Sequence, residues 1–232
     1  MKVNIVMLLL PLMLMNNTVS NYNYNSRKNS LLYFKGSTNL FSITLSDVDA
    51  AADKLAPTNK IYTYKEAIAL RKELSYKLTL NPTSLELNWA LMRFYTAAPN
   101  FVGGCTAIAL QYAGYIFDIN QYIGCMAYEY VYTRRKEYDK AELWYTHSTN
   151  LSLPQDMVWK EIYYDKTVPK NIKITGNFNN WRYQPMYESE SGIYERKIMM
   201  RKCDKCIFKL LIDYKNPDTP TKENYTINLN ND

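Results

Sequence analysis

The 232-residue sequence predicts an α+β protein of two domains, helical in its N-terminal part and an antiparallel β-sandwich in its C-terminal part. Two observations predict this. From residue 46 to about residue 152 the apolar residues recur every three or four positions, and Pro, like the Gly103-Gly104 pair, falls only at breaks. After Pro154 the pattern changes to short alternating β-rich runs bounded by turn residues. Composition agrees with a folded chain. An apolar share of 47% and a charged share of 22% exclude wholesale disorder.

Residues 1–20 read as a signal peptide. Lys2 gives a positive start, residues 5–15 are apolar except for Pro11, and Thr18 and Ser20 are small residues at a cut after Ser20. The apolar run is short for a bilayer span. The expectation is export, periplasmic or secreted in a bacterium, with no stable membrane span after cleavage. Residues 21–45 form a polar, flexible leader rich in Asn, Ser and Tyr. A helical domain then occupies 46–153, and a β domain 156–232.

Six helices follow from the spacing. Ser46-Asp47 caps the first, 46–55, with Asp47 and Asp49 as cap and first-turn acids. Thr63 opens 64–78, where Ala67, Leu70, Leu74 and Leu78 share a face. Asn81-Pro82 stops that helix and Ser84 opens 85–96. Pro99 and Gly103-Gly104 break the chain again before 106–117, 121–136 and 139–150. Such short breaks imply antiparallel helix pairs. A weak repeat aligns Thr63-Tyr64-Lys65-Glu66-Ala67 with Glu137-Tyr138-Asp139-Lys140-Ala141, each near the start of a helix. A small residue at Ala67 or Ala141 lets two helices approach.

Residues 62–152 resemble the tetratricopeptide repeat family, with Tyr132, Ala141 and Tyr145 at that family's signature spacings. The resemblance implies stacked helix pairs with a concave surface that holds a protein partner. Tyr112, Tyr115, Tyr122, Tyr128, Tyr130, Tyr132 and Tyr145 serve either that surface or packing.

Five strands are expected in the second half: 158–164, 171–175, 193–200, 205–213 and 225–229. Asn171-Ile172-Lys173-Ile174-Thr175-Gly176-Asn177-Phe178-Asn179-Asn180-Trp181 opens an ordered series. Pro185-Met186, Gly192-Ile193-Tyr194, Phe208-Lys209-Leu210-Leu211-Ile212-Asp213, Asn216-Pro217 and Asn224-Tyr225-Thr226-Ile227 continue it. The series resembles the glycogen-binding module of the AMP-activated kinase β subunit, an immunoglobulin-like sandwich. The resemblance implies that an α-glucan binds without metal or titrating pair. Trp181 would stack on a sugar ring, while Lys209 and Asn224 hydrogen-bond its hydroxyls. Where binding members carry a second Trp, this chain has Tyr214-Lys215-Asn216, and Tyr214 stands as the substitute. For Trp181 the alternative is a packing role, and for Lys209 a solvated strand face.

Other chemistry is sparse. A single His, His147, has to serve any Ser-His-Asp or Cys-His engine. Cys203 and Cys206 have C-x-x-C spacing but lack two further zinc ligands, and read as a local disulfide or two thiols. Cys105 and Cys125 either pair or are buried. A net charge of +6, without a long basic cluster, does not suggest nucleic acid. The sequence therefore reads as a non-catalytic binding protein without a cofactor. Its sandwich carries the glucan contact and its helices a protein contact. The alternative is an envelope scaffold in which both domains contact only protein.

Overall fold

A computed structural model describes residues 43–164, 169–189, 192–214 and 223–229, with backbone alone at 169–170, 213–214 and 223–229. The expected signal peptide, most of the leader, and the Asn216-Pro217 element lie outside the described residues. The described elements are six helices followed by antiparallel sheets, an α+β arrangement.

The helices are α1 Leu45–Leu55, α2 Tyr64–Leu80, α3 Leu85–Ala97, α4 Thr106–Ile119, α5 Gln121–Arg134 and α6 Tyr138–Thr149. Side-chain caps set most of their starts. Thr63 accepts a hydrogen bond from the Glu66 amide while Glu66 reaches back to Thr63, a reciprocal box. With Lys60 close by, these bonds bring the Glu66 carboxyl down to about 2, the Thr63 backbone bond being the largest cause. Ser84 and Asn120 cap α3 and α5 by accepting from the Leu87 and Ile123 amides, without a reciprocal bond. The start of α1 departs from expectation. Its cap is Thr44, which forms a box with Asp47, so the helix begins one residue earlier. Thr63 and Glu137, aligned in the repeat, both sit at helix N-caps, and Ala67 and Ala141 are both buried.

Short loops return α4, α5 and α6 each against its predecessor, and α3 also packs on α1 and α2. Leu74, Leu91, Met92, Ile116, Ile123 and Met126 lie at the centre of the helical core. Gly124 allows α5 to approach α4, because an added Cβ would stand 2.2 Å from the Phe117 Cα.

The strands are β1 Met157–Tyr164, β2 Pro169–Gly176, β3 Gln184–Pro185, β4 Tyr187–Glu188, β5 Tyr194–Arg201, β6 Cys206–Tyr214 and β7 Glu223–Leu229. They form two antiparallel sheets, ordered β1-β5-β4 and β3-β2-β6-β7. Ile162, Ile172, Ile174, Phe178, Ile198, Met200, Phe208, Leu210 and Ile212 pack into one cluster, so both sheets bury residues in a shared core. Period-2 alternation along β6 puts Phe208, Leu210 and Ile212 inside and Lys209 outside.

The helices and sheets belong to the same compact unit. Met157 and Met199 join the helical core, and Trp159 packs against it. Tyr122, in the row of tyrosines on α4 to α6, meets Trp159 edge-on, and Tyr145 stacks on Tyr187 of β4 at 4.9 Å. Those two rings face this chain's own strands.

Two buried ion networks cross the same boundary. In one, Arg196 of β5 donates to both Glu129 oxygens at 2.7 and 2.8 Å and to the Pro185 carbonyl at 2.8 Å. Tyr187 donates to the same carboxylate at 2.9 Å, and the guanidinium lies 4.7 Å from the Tyr145 ring. Both charged side chains are 2% exposed. Burial opposes the Arg196 charge, but the Glu129 carboxylate outweighs it and holds the proton more firmly than usual.

The second network centres on Asp49, which is buried and does not act as a first-turn acid. Its Oδ1 accepts from Trp89 Nε1 and Arg93 Nη1, both at 2.7 Å. Its Oδ2 accepts from Arg182 Nε at 2.6 Å and Asn180 Nδ2 at 3.0 Å. Asp53, one turn later, accepts from Arg93, Asn180 and Arg182. Burial alone would raise the Asp49 carboxyl, but Arg93, the Asn180 hydrogen bond and Arg182 together pull it below its ordinary value.

Candidate functional site

The turn from Gly176 to Tyr183 joins β2 to β3, and each of its residues has a physical reason. Gly176 is extended, and a Cβ there would stand 2.4 Å from the Ile207 carbonyl oxygen and 2.5 Å from the Phe178 ring. Phe178 fills the sheet core. Asn177 ties the turn to β6 by accepting from the Ile207 amide at 3.1 Å and donating to the Lys205 carbonyl at 2.6 Å. Asn179 accepts from the Gly176 amide at 2.9 Å and donates to the Arg182 carbonyl and the Gln184 side chain. The Trp181 amide closes the loop on the Gly176 carbonyl at 2.8 Å.

Asn180 and Trp181 both hold left-handed backbone, at φ 52° and 60°. Asn tolerates that region, whereas a bulky side chain there is strained. The surrounding bonds over-determine the turn and hold the indole outward, 48% exposed. Lys209 on β6 is exposed, and its Nζ lies 5.8 Å from the Trp181 ring centroid, a cation–π approach. Lys209 pairs across the sheet with Thr175 of β2 and Thr226 of β7.

Trp181 and Lys209 are thus brought together on one surface. Tyr214 stands at the end of β6 opposite Pro169, and Asn224 on β7 opposite Leu211. The side chains of Tyr214 and Asn224 lie outside the described residues. Three neighbours escaped the sequence reading. Arg182 turns inward to Asp49, Asp53 and Thr58, which fixes the segment against α1. Tyr183 points outward and is 58% exposed. Thr175 lies beneath this surface. The signal for Arg182 was present in the sequence: Asp49 and Asp53 are one turn apart, so two acids share a face of a helix that is otherwise apolar on that side.

The arrangement offers a flat ring, an ammonium donor and a hydroxyl, a set that fits a ligand with both apolar faces and hydroxyl groups. It offers no proton relay. Among the described residues no group of three His, Cys, Asp or Glu side chains could hold a metal ion, and no helix is long and apolar enough to cross a membrane. Cys105, Cys125, Cys203 and Cys206 are all free thiols. Burial pushes Cys206 up to about 11 and Cys125 to about 12, away from reactivity at neutral pH. A small pocket of about 80 Å³ borders the start of the 176–183 turn, between Asp47, Asn177, Arg201 and Asp204. No protein-family model matches the chain, and no curated protein matches it.

Proposed function

We propose that this is an exported, non-catalytic binding protein whose β half holds an α-glucan on the surface around Trp181. In this reading the helices are a short tetratricopeptide-like array, and the two sheets an immunoglobulin-like sandwich of the glycogen-binding type. One observation carries the glucan claim. Trp181 is kept exposed in a strained but fully hydrogen-bonded turn, with the Lys209 ammonium beside its ring. Had the motif served packing alone, the indole would be expected inside the sheet core, where Phe178 sits. Native affinity electrophoresis through glycogen tests the claim. The wild-type chain is retarded and Trp181→Ala runs about 10-fold closer to its free mobility, from loss of one stacking platform. Equal, unretarded mobility for both overturns it.

A second reading rests on a different surface. Ile61, Tyr64, Tyr76, Leu80 and Phe101 are exposed apolar side chains on and around α2, and favour a scaffold that contacts protein there. The inner tyrosines do not support that contact, since Tyr122 and Tyr145 are spent on β1 and β4. Unretarded wild type in the same gel leaves this scaffold reading standing.

A further inference from the structure

Resting on the glucan reading, we propose that Tyr183 supplies the second aromatic platform and Thr175 a ligand-facing hydroxyl, so that the binding row crosses the sheet. The row would run from Tyr183 over Thr175 to Lys209, with Trp181 at its rim. Tyr214 would then lie outside the site.

Three observations meet here. Trp181 and Tyr183 flank Arg182, and the Arg182 guanidinium is bound by Asp49, Asp53 and Thr58. A central residue fixed inward leaves the two flanking rings exposed, at 48% and 58%. Neither ring stacks on another aromatic side chain among the described residues. Second, register places the row. Thr175 pairs with Lys209, and paired residues of antiparallel strands share a sheet face. Gln184 pairs with Ile174 as the last pair of β2 and β3, and Tyr183 and Thr175 are the residues next beyond that pair on the two segments. Third, Thr175 is only 5% exposed, and its Oγ1 has no hydrogen-bond partner among the described residues. A buried hydroxyl left unpaired is costly, and few remain so in folded proteins.

Together these features select the ligand. An apolar peptide segment laid on the row would cover the rings but leave the Thr175 hydroxyl unpaired and strip water from the Lys209 ammonium. A glucan chain presents apolar ring faces to Trp181 and Tyr183 and hydroxyls to Thr175 and Lys209. Thr175 can donate or accept, whereas Lys209 only donates, so the pair suits a sugar hydroxyl better than an anion.

Isothermal titration of the full-length protein with maltoheptaose tests the proposal. Tyr183→Ala is expected to weaken binding about 10-fold and Tyr183→Phe to leave it unchanged, since the ring and not the phenol stacks. Thr175→Val is expected to weaken it about 3- to 10-fold, while Thr175→Ser, which keeps the hydroxyl, binds as wild type. If Tyr183→Ala and Thr175→Val both bind as wild type while Trp181→Ala does not, this row is wrong and the broader glucan reading survives. If the wild-type protein fails to bind maltoheptaose, both fall. A Thr175→Ser variant as weak as Thr175→Val would show a steric rather than a hydroxyl role and would remove Thr175 from the row.

Discussion

At the scale of single residues, the strongest energetic commitment is the Glu129–Arg196 pair. Each charge has left water, and the pair is compensated by its own contact and by Tyr187, Tyr145, the Pro185 carbonyl and the Met126 sulfur. Removing one partner strands the second charge in the interior. Glu129→Ala should therefore cost about 3–5 kcal/mol of stability. Urea unfolding followed by circular dichroism measures it, and a loss below about 1 kcal/mol would mean that Arg196 finds other partners. The pair was hardly legible in the sequence, because 67 positions separate its members. A faint signal was present: Glu129 is the only acid in α5. Trp181 and Lys209 were legible because the turn motif and the alternation of β6 each mark one outward position. Tyr183 was not, since the Asp49 and Asp53 pair calls for a basic partner without naming Arg182 or the neighbours it would leave exposed. Asp49 was read from its distance to the helix start, a local rule. Its actual role depends on Arg93 and Arg182, which come from distant chain positions.

At the scale of elements, helix limits were legible to within about two residues wherever a capping side chain or a Pro marks the end. Thr63, Ser84 and Asn81-Pro82 do so. The first helix was misplaced by one residue because Thr44 and Ser46 are both acceptable caps, and only the reach of Asp47 decides between them. β3 and β4 were missed because two-residue strands carry no alternation. Gly124 shows how tightly two of these elements meet. It is the fourth residue of α5, where Ala would ordinarily be favoured by up to about 1 kcal/mol. Here the added methyl meets the backbone of α4 at Phe117 and not a flexible side-chain tip. Gly124→Ala should therefore destabilise the protein, by about 1–3 kcal/mol, against its intrinsic propensity. A thermal melt gives the sign directly, and a raised midpoint would refute close α4–α5 packing.

At the scale of the whole molecule, acid is expected to loosen the junction of helices and sheets. Asp49 has its carboxyl held below the ordinary value of 3.8 by Arg93, Asn180 and Arg182, against the opposing effect of burial. Its ionised form is thus favoured by folding. That contribution is complete above about pH 4 and is lost as pH falls through the lowered folded value. Asp49→Asn should be less stable than wild type at pH 7 and should show a shallower decline as pH falls below about 4. Parallel urea titrations across that range compare the two slopes, and identical slopes would mean that Asp49 does not titrate with unfolding. Tryptophan fluorescence and far-ultraviolet dichroism should report one transition, because Met157, Met199 and both ion networks join helices and strands in one unit.

The inward turn of Arg182 has a thermodynamic consequence for the helices. The carboxylates of α1 hold the guanidinium of the residue between the Trp181 and Tyr183 rings, so any molecule that needs both rings in this arrangement favours the state in which α1 is docked. Mass action then spreads the benefit: at 100 times its dissociation constant, a ligand adds about 2.7 kcal/mol to the folded unit, α1 included. Occupancy of a surface on the strands would be felt as reduced fraying at the far N-terminal end of the fold, with no new contact formed there.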